Sequence, residues 1–228
     1  MTPRRLETKF ELTSDRRYEV CIHEAAHAVI YAYGGTFVYS VEVAPLGISD
    51  LSLTGRKGHM YKETMGLCST SDAPFSYCLL WNIDDCTFVA DKKTFRSVMK
   101  SCVGWRKRNE IKRRIRAHVC GCLAGPVADA KYRGKTSDEI YLESESVFSG
   151  TPDDVSIAEA LSWFLPSWKE FDLLTKETDR LLRMPEIWER VLKLADVLNH
   201  AGKIEEDIPF LPEPCELWPV QQYGKRFA

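Results

Sequence analysis

The sequence predicts a mainly α-helical domain with a small β-sheet (α+β). Three observations carry this: long segments whose apolar residues recur at the helix period, one β-branched and aromatic run of strand character, and an ordinary globular composition. Hydrophobic residues make up 44% and charged residues 28% of the 228, which excludes collagen-like, coiled-coil and wholly disordered chains. That length suits one domain, and no internal repeat or low-complexity linker divides it. Residues 1–228 are therefore read as a single domain with extended tails at 1–13 and 209–228.

The first helix is expected over Ser14 to Tyr33. Tyr18, Ile22, Ala25, Ala26, Val29, Ile30 and Tyr33 follow the i, i+3, i+4 spacing, Thr13 or Ser14 can cap it, and Gly34-Gly35 stops it. Thr36 to Ala44 reads as a strand ended by Pro45 and Gly47, and a second short strand follows Gly58. Residues 62–90 mix Cys, Ser, Asp and aromatics around Pro74 without a clear period, so a loop-rich stretch with one short helix is expected. Asn109 to Tyr132 is helical by period, with Gly125-Pro126 predicted to kink or interrupt it. Thr151 as N-cap, Pro152 at the first helical position and acids Asp153 and Asp154 start a helix running to about Leu165. Two amphipathic helices follow, Ser167 to Leu182 and Pro185 to His200, the last closed by Ala201-Gly202.

Lys plus Arg number 31 against 33 Asp plus Glu, so global charge argues for neither nucleic acid nor membrane. Locally the chain is polarised. Residues 92–116 hold eleven basic residues and the single acid Glu110, whereas 137–216 hold nineteen acids and seven bases. The N-terminus lacks the apolar core of a secretory signal, and the longest charge-free apolar stretch, Ala25 to Val41, is too short for a bilayer span. A cytoplasmic protein without a membrane span is expected. In that compartment the eight cysteines are reduced, and they form no C-x-x-C pair: Cys120 and Cys122 are two apart, and Cys68, Cys78 and Cys86 lack zinc-ribbon spacing.

The chemistry lies in the first helix. His23-Glu24-Ala25-Ala26-His27 is H-E-x-x-H, and four residues bring the two imidazoles one turn apart on one face, where both can ligate one zinc ion. Glu24 is suited to take a proton from a zinc-bound water and pass it to a leaving amine. A chain of this composition contains the pattern by chance about once in a hundred, so its helical context matters. The plainer alternative is a pair of hydrogen-bonded core histidines. A catalytic zinc needs a third protein ligand. The metzincin extension fails, because Ile30 and Tyr33 stand where Gly and His are required, and Leu46-Gly47 offers no glutamate about twenty residues downstream. A distant carboxylate or histidine is left.

Three segments resemble the peptidase domain of the FtsH family of membrane-bound, ATP-dependent zinc proteases: H-E-A-A-H-A at His23 to Ala28, L-A-G-P-V-A-D-A at Leu123 to Ala130, and S-G-T-P-D-D-V at Ser149 to Val155. The order and spacing fit over residues 14–208. The resemblance implies a zincin-like fold with the H-E-x-x-H helix at its centre, zinc as cofactor, His23, His27 and Asp154 as ligands, and Glu24 as general base. Asp153 competes with Asp154 for the third place, and helix capping alone also explains an acid there. Pro126 and Ala130 replace the family's Arg and one of its acids, which leaves the surroundings of the ligands open.

No G-x-x-x-x-G-K-[ST] motif is present, so the resemblance is to the peptidase module alone. The implied function is a zinc endopeptidase cutting flexible or unfolded polypeptides, self-associating or fed by an ATPase in trans. Substrate would add as a strand along Val38 to Ala44 or along the strand after Gly58. The alternative is a catalytically silent module of the same fold, contacting acidic partners or nucleic acid through residues 92–116 with Phe95 and Trp105 as stacking groups. Nucleic acid ranks lower, because no recognised binding motif accompanies the basic run.

Overall fold

A computed structural model describes residues 13–47, 52–54, 58, 60–62, 64–82, 87–101, 104–136, 154–215 and 218. The architecture is mainly helical with a small antiparallel sheet, in the order α1 (Ser14–Tyr33), β1 (Val38–Val43), β2 (Ser52–Thr54), β3 (Met60–Lys62), β4 (Gly66–Thr70), β5 (Leu79–Asn82), β6 (Thr87–Ala90), α2 (Lys92–Ser101), α3 (Trp105–Tyr132), α4 (Asp154–Ser162), α5 (Glu170–Leu182), α6 (Pro185–Ala201) and β7 (Lys203–Glu205). No helix among the described residues is long and apolar enough to cross a membrane.

Helix α1 forms where its apolar period predicts. Thr13 is in extended conformation, and its hydroxyl accepts the Arg16 N–H at 3.4 Å, which satisfies one of the orphan donors of the first turn. Gly34 ends the helix and Gly35 turns the chain at φ +78°. Unlike a surface helix, α1 is enclosed by α3, α6, β1 and β4, and Cys21, Ile22, Ala25, Ala26, Ala28, Val29 and Ile30 are all fully buried. Arg17 is buried as well. Its Nε donates to the Ala44 carbonyl at 3.3 Å and its Nη1 to the Asn199 carbonyl and side chain, which ties α1 to the end of β1 and to α6.

The contact between α1 and α3 fixes the rest. Glu19 meets Arg133, His23 meets Asp129, His27 faces Gly125 and Tyr31 faces Gly121. Each step of four along α1 is matched by a step of four back along α3, the signature of antiparallel helices packed through their i±4 ridges. The approach is close: a Cβ on Gly121 would lie 2.3 Å from the Tyr31 ring, and one on Gly34 would lie 2.8 Å from Ala117. The expected interruption at Gly125-Pro126 does not occur, and α3 runs through Pro126 as one helix, beginning four residues before the predicted start. Burial of Val127, Ala128 and Ala130 against α1 holds the turn that the missing Pro126 N–H would otherwise weaken.

Strand β1 is the middle strand of a three-stranded sheet in the order β4-β1-β7, with Val43 opposite Gly66 and Ser40 opposite Glu205. It therefore offers no free edge, contrary to the expectation for Val38 to Ala44. β3, the predicted strand after Gly58, pairs with β2 in a separate hairpin. The stretch expected to be loop-rich holds β4, a 3-10 turn at Ser76–Cys78, and the β5–β6 hairpin. These strands are short and none is buried on one whole face, so the period-2 signal is missing. Residues 151–153 lie outside the described residues, and α4 is followed from Asp154. The C-terminal segment docks: the Cys215 N–H donates to the Tyr33 carbonyl, and buried Trp218 donates its indole N–H to Glu177 at 2.8 Å.

His118 lies in this core, 6% exposed, with its Nδ1 3.4 Å from the Thr36 hydroxyl. Burial, reinforced by the Arg114 charge and only partly opposed by Asp72, pushes its pKa down to about 4. The folded state thus binds this proton less readily than the unfolded state, and the stability involved is complete above the unfolded value of 6.5 and is lost as pH falls towards 4. Urea unfolding from pH 7 to pH 4 is expected to show the wild type losing about 3 kcal/mol more than His118→Gln. Parallel curves for the two proteins would contradict the burial of a neutral ring.

Candidate metal centre

Each of the candidate ligands sits on a different part of the helical frame. His23 and His27 project from one face of α1 towards α3, and Asp154 comes from the first turn of α4, which packs on α3. The His23 and His27 Nε2 atoms are 3.0 Å apart, and Asp154 Oδ2 is 3.3 Å from the first and 3.2 Å from the second. All three ligand atoms lie within 4.8 Å of one another, a group able to hold a metal ion. Asp153, the rival for the third place, lies outside the described residues.

The opposite ring nitrogens are already engaged. His23 Nδ1 is 2.8 Å from Asp129 Oδ2, and His27 Nδ1 is 2.7 Å from the Gly121 carbonyl oxygen. Because carboxylate and carbonyl oxygens only accept, both Nδ1 atoms carry a proton, and the two Nε2 atoms face each other and the Asp154 carboxylate, as lone pairs when the rings are neutral. With both rings neutral, three acceptors at 3.0–3.3 Å repel one another, and either a proton on an Nε2 or a metal ion among them relieves the repulsion. Their spacing also fits one: four ligands at about 2.0 Å from a tetrahedral centre have edges of about 3.3 Å.

The electrostatics agree with the geometry. Burial disfavours charge on His23, but the Asp129 carboxylate and the hydrogen bonds to Asp129 and Asp154 outweigh it and raise its pKa well above the usual value. His27 is raised in the same way, chiefly by Asp154 working against burial. Burial alone would push the Asp154 carboxyl up, yet His27 and His23 together hold it far below the normal range. The Asp129 and Asp154 carboxylates thus favour positive charge at the two rings, and a proton and a metal ion would compete for the same Nε2 positions.

Glycines shape the cavity. A Cβ built on Gly125 would stand 2.4 Å from the Nε2 atoms of both His23 and His27, so only glycine leaves the space between them clear. Glu24, one residue after His23, is 6% exposed and lies under the start of β4, where a Cβ on Gly66 would be 2.5 Å from its Oε1. Burial pushes the Glu24 carboxyl up to about 7, against the opposing charges of His23 and His27. A carboxylate of such affinity is poised to take up and release a proton near neutral pH.

Sequence reasoning singled out His23, Glu24, His27 and Asp154, which the structure brings together, but gave Gly66, Gly121 and Gly125 no part in shaping the cavity. Gly121 and Gly125 could have been found: two glycines four apart inside a helix cost about 1 kcal/mol each relative to alanine, and such a cost asks for a close-packing reason. Gly66 gave no local signal, since its backbone is unstrained and its constraint comes from Glu24 across the fold. Asp129 stood within the second motif, and its partner becomes identifiable only when α3 is laid on α1.

Gly125→Ala is expected to keep the helical circular dichroism of the wild type while zinc uptake, measured by titration against a competing chelator, falls by more than about tenfold. Asp129→Asn should weaken uptake by about 10- to 100-fold, because it loosens the ring that it orients. Unchanged affinity in both variants would refute the assignment of the cavity. Compared with known proteins, the chain matches no family model and no curated protein.

Proposed function

We propose that the chain is a zinc-dependent endopeptidase acting on flexible or unfolded polypeptides, with a fold related to the FtsH-family peptidase domain. The observation that carries this reading is the convergence of His23 Nε2, His27 Nε2 and Asp154 Oδ2 beside the buried carboxylate Glu24. Two imidazoles and a carboxylate form a catalytic zinc donor set, and three protein ligands leave a fourth position for water or substrate. The motif resemblance supports the same reading, since Gly125 and Asp129 of its second segment and Asp154 of its third all line the cavity.

Zinc held there supplies Lewis-acid polarisation of a carbonyl and acidifies a water molecule. Glu24 accepts the proton of the attacking water and hands it to the departing amine, and a neighbouring positive charge favours the ionised form that this base needs. Asp129 and the Gly121 carbonyl hold the two rings so that their Nε2 lone pairs stay on the site. The outer edge of β4, to which no strand pairs among the described residues, begins at Gly66 against Glu24. A substrate segment adding there as a strand would run past the base in extended form. The polypeptide would have to arrive unfolded, or from an ATPase acting in trans.

Plasma mass spectrometry on chelator-free protein should find about one zinc per chain, absent from His23→Ala and Asp154→Ala. Glu24→Gln should retain the metal and cleave casein at least about 100-fold more slowly. A wild type that takes up no added zinc would overturn the reading, as would full activity in Glu24→Gln.

A further inference from the structure

A second surface fitted to an extended chain lies on the far part of α4. A groove of about 380 Å³ is lined by all four residues of β6 together with Lys92, Ser156, Glu159, Ala160 and Trp163. Successive side chains of a strand point to opposite faces, so a groove that meets four consecutive residues meets the edge of the strand rather than one face. Among the described residues β6 pairs with β5 alone. The register pairs Leu79 with Ala90 and Leu80 with Val89, and the Asp91 N–H donates to the Cys78 carbonyl at 2.8 Å, towards β5. Alternation along the strand then turns the N–H and C=O groups of Val89 and Thr87 towards β5, and those of Ala90 and Phe88 away from it, onto the open edge.

The groove is charged in one sense at one end. Lys92 Nζ sits 3.8 Å over the Trp163 ring, and from it α2 continues with the exposed stripe Lys93, Arg96 and Lys100. Helix α2 contains no acid; the carboxylate that caps it, Asp91, is held by the Lys93 and Thr94 amides and the Thr94 hydroxyl. The Phe95 ring, stacked on Phe164 at 4.5 Å, fixes α2 against the end of α4. Glu159 is the one acid among the lining residues.

From the outward backbone groups of Phe88 and Ala90, which no strand pairs among the described residues, and the cationic stripe that follows, we infer that this groove binds an extended, acidic polypeptide segment that adds to β6 as a strand and lays its carboxylates along α2. Backbone pairing supplies affinity without regard to sequence, and charge complementarity selects acidic segments. The groove shares α4 with Asp154 but none of its lining residues belongs to the metal centre. The inference extends the peptidase reading and rests on it only for the fate of the bound segment; binding itself requires neither metal nor cleavage.

The test uses the full chain carrying Glu24→Gln and a fluorescein-labelled Val-Glu-Val-Glu-Val-Glu peptide followed by fluorescence polarisation. The expected result is saturable binding that weakens with added salt. It should fall by about tenfold or more when lysine replaces the peptide's glutamates, when alternate peptide nitrogens are methylated, and in the double variant Lys93→Glu, Arg96→Glu. Ala90→Pro removes only the outward-facing donor, a position where an edge strand tolerates proline, and should weaken binding similarly; the methylated peptide asks the same question without altering the protein. Equal binding of the lysine peptide, or of the methylated one, would overturn the inference. So would a single-stranded oligonucleotide binding the stripe, unaffected by Ala90→Pro, where the acidic peptide does not bind.

Discussion

Helices α1 and α3 approach as closely as they do because Gly121 and Gly125 present no side chain to the large residues of α1. The ring of Tyr31 fills the space at Gly121, and the rings of His23 and His27 fill the space at Gly125. Backbone proximity then makes the Gly121 carbonyl available to His27 and the Asp129 carboxylate available to His23. Were the helices a side chain further apart, the buried His27 ring would be left with Nδ1 unpaired, at a cost of about 1 to 3 kcal/mol. One packing constraint thus sets both the fit of the core and the tautomers of the rings.

The same constraint explains how a helix in the middle of an apolar core carries charge. Along α1 between Cys21 and Ala32, a buried face of Ile, Val and Ala packs conventionally, while buried Glu24 and His27 and the half-buried His23 open on the cavity. The polar face meets partners from α3 and α4, and the start of β4 lies close over Glu24. Arg17, the other buried charge of the helix, is held by carbonyls of β1's end and α6 on the opposite side.

The sequence made legible whatever depends on neighbours within one turn. H-E-x-x-H, the apolar period of α1 and the glycine stops of α1 and α6 are local facts, and the helices stand where those facts put them. Pro126 misled because the rule it invokes is also local, whereas α3 is held through that turn by burial against α1. The edge assigned to β1 failed for a similar reason: β7, which covers it, is three residues long and lies more than 150 residues away in the chain. Strands of three to five residues with mixed burial leave no period to read, so β4, β5 and β6 emerged only in three dimensions.

The sheet and the ligand set share a feature with consequences for biosynthesis. His23 and Asp154 are separated by 131 residues, and β1 waits for β7, so the centre and its covering sheet are assembled from opposite ends of the chain. Contacts of such sequence separation form late, since long loops must close before they are rewarded. On the ribosome, the emerging H-E-x-x-H helix has neither the Asp154 carboxylate nor its strand cover until more than 100 further residues have been added. A candidate metal centre divided in this way cannot be assembled before synthesis has passed Asp154.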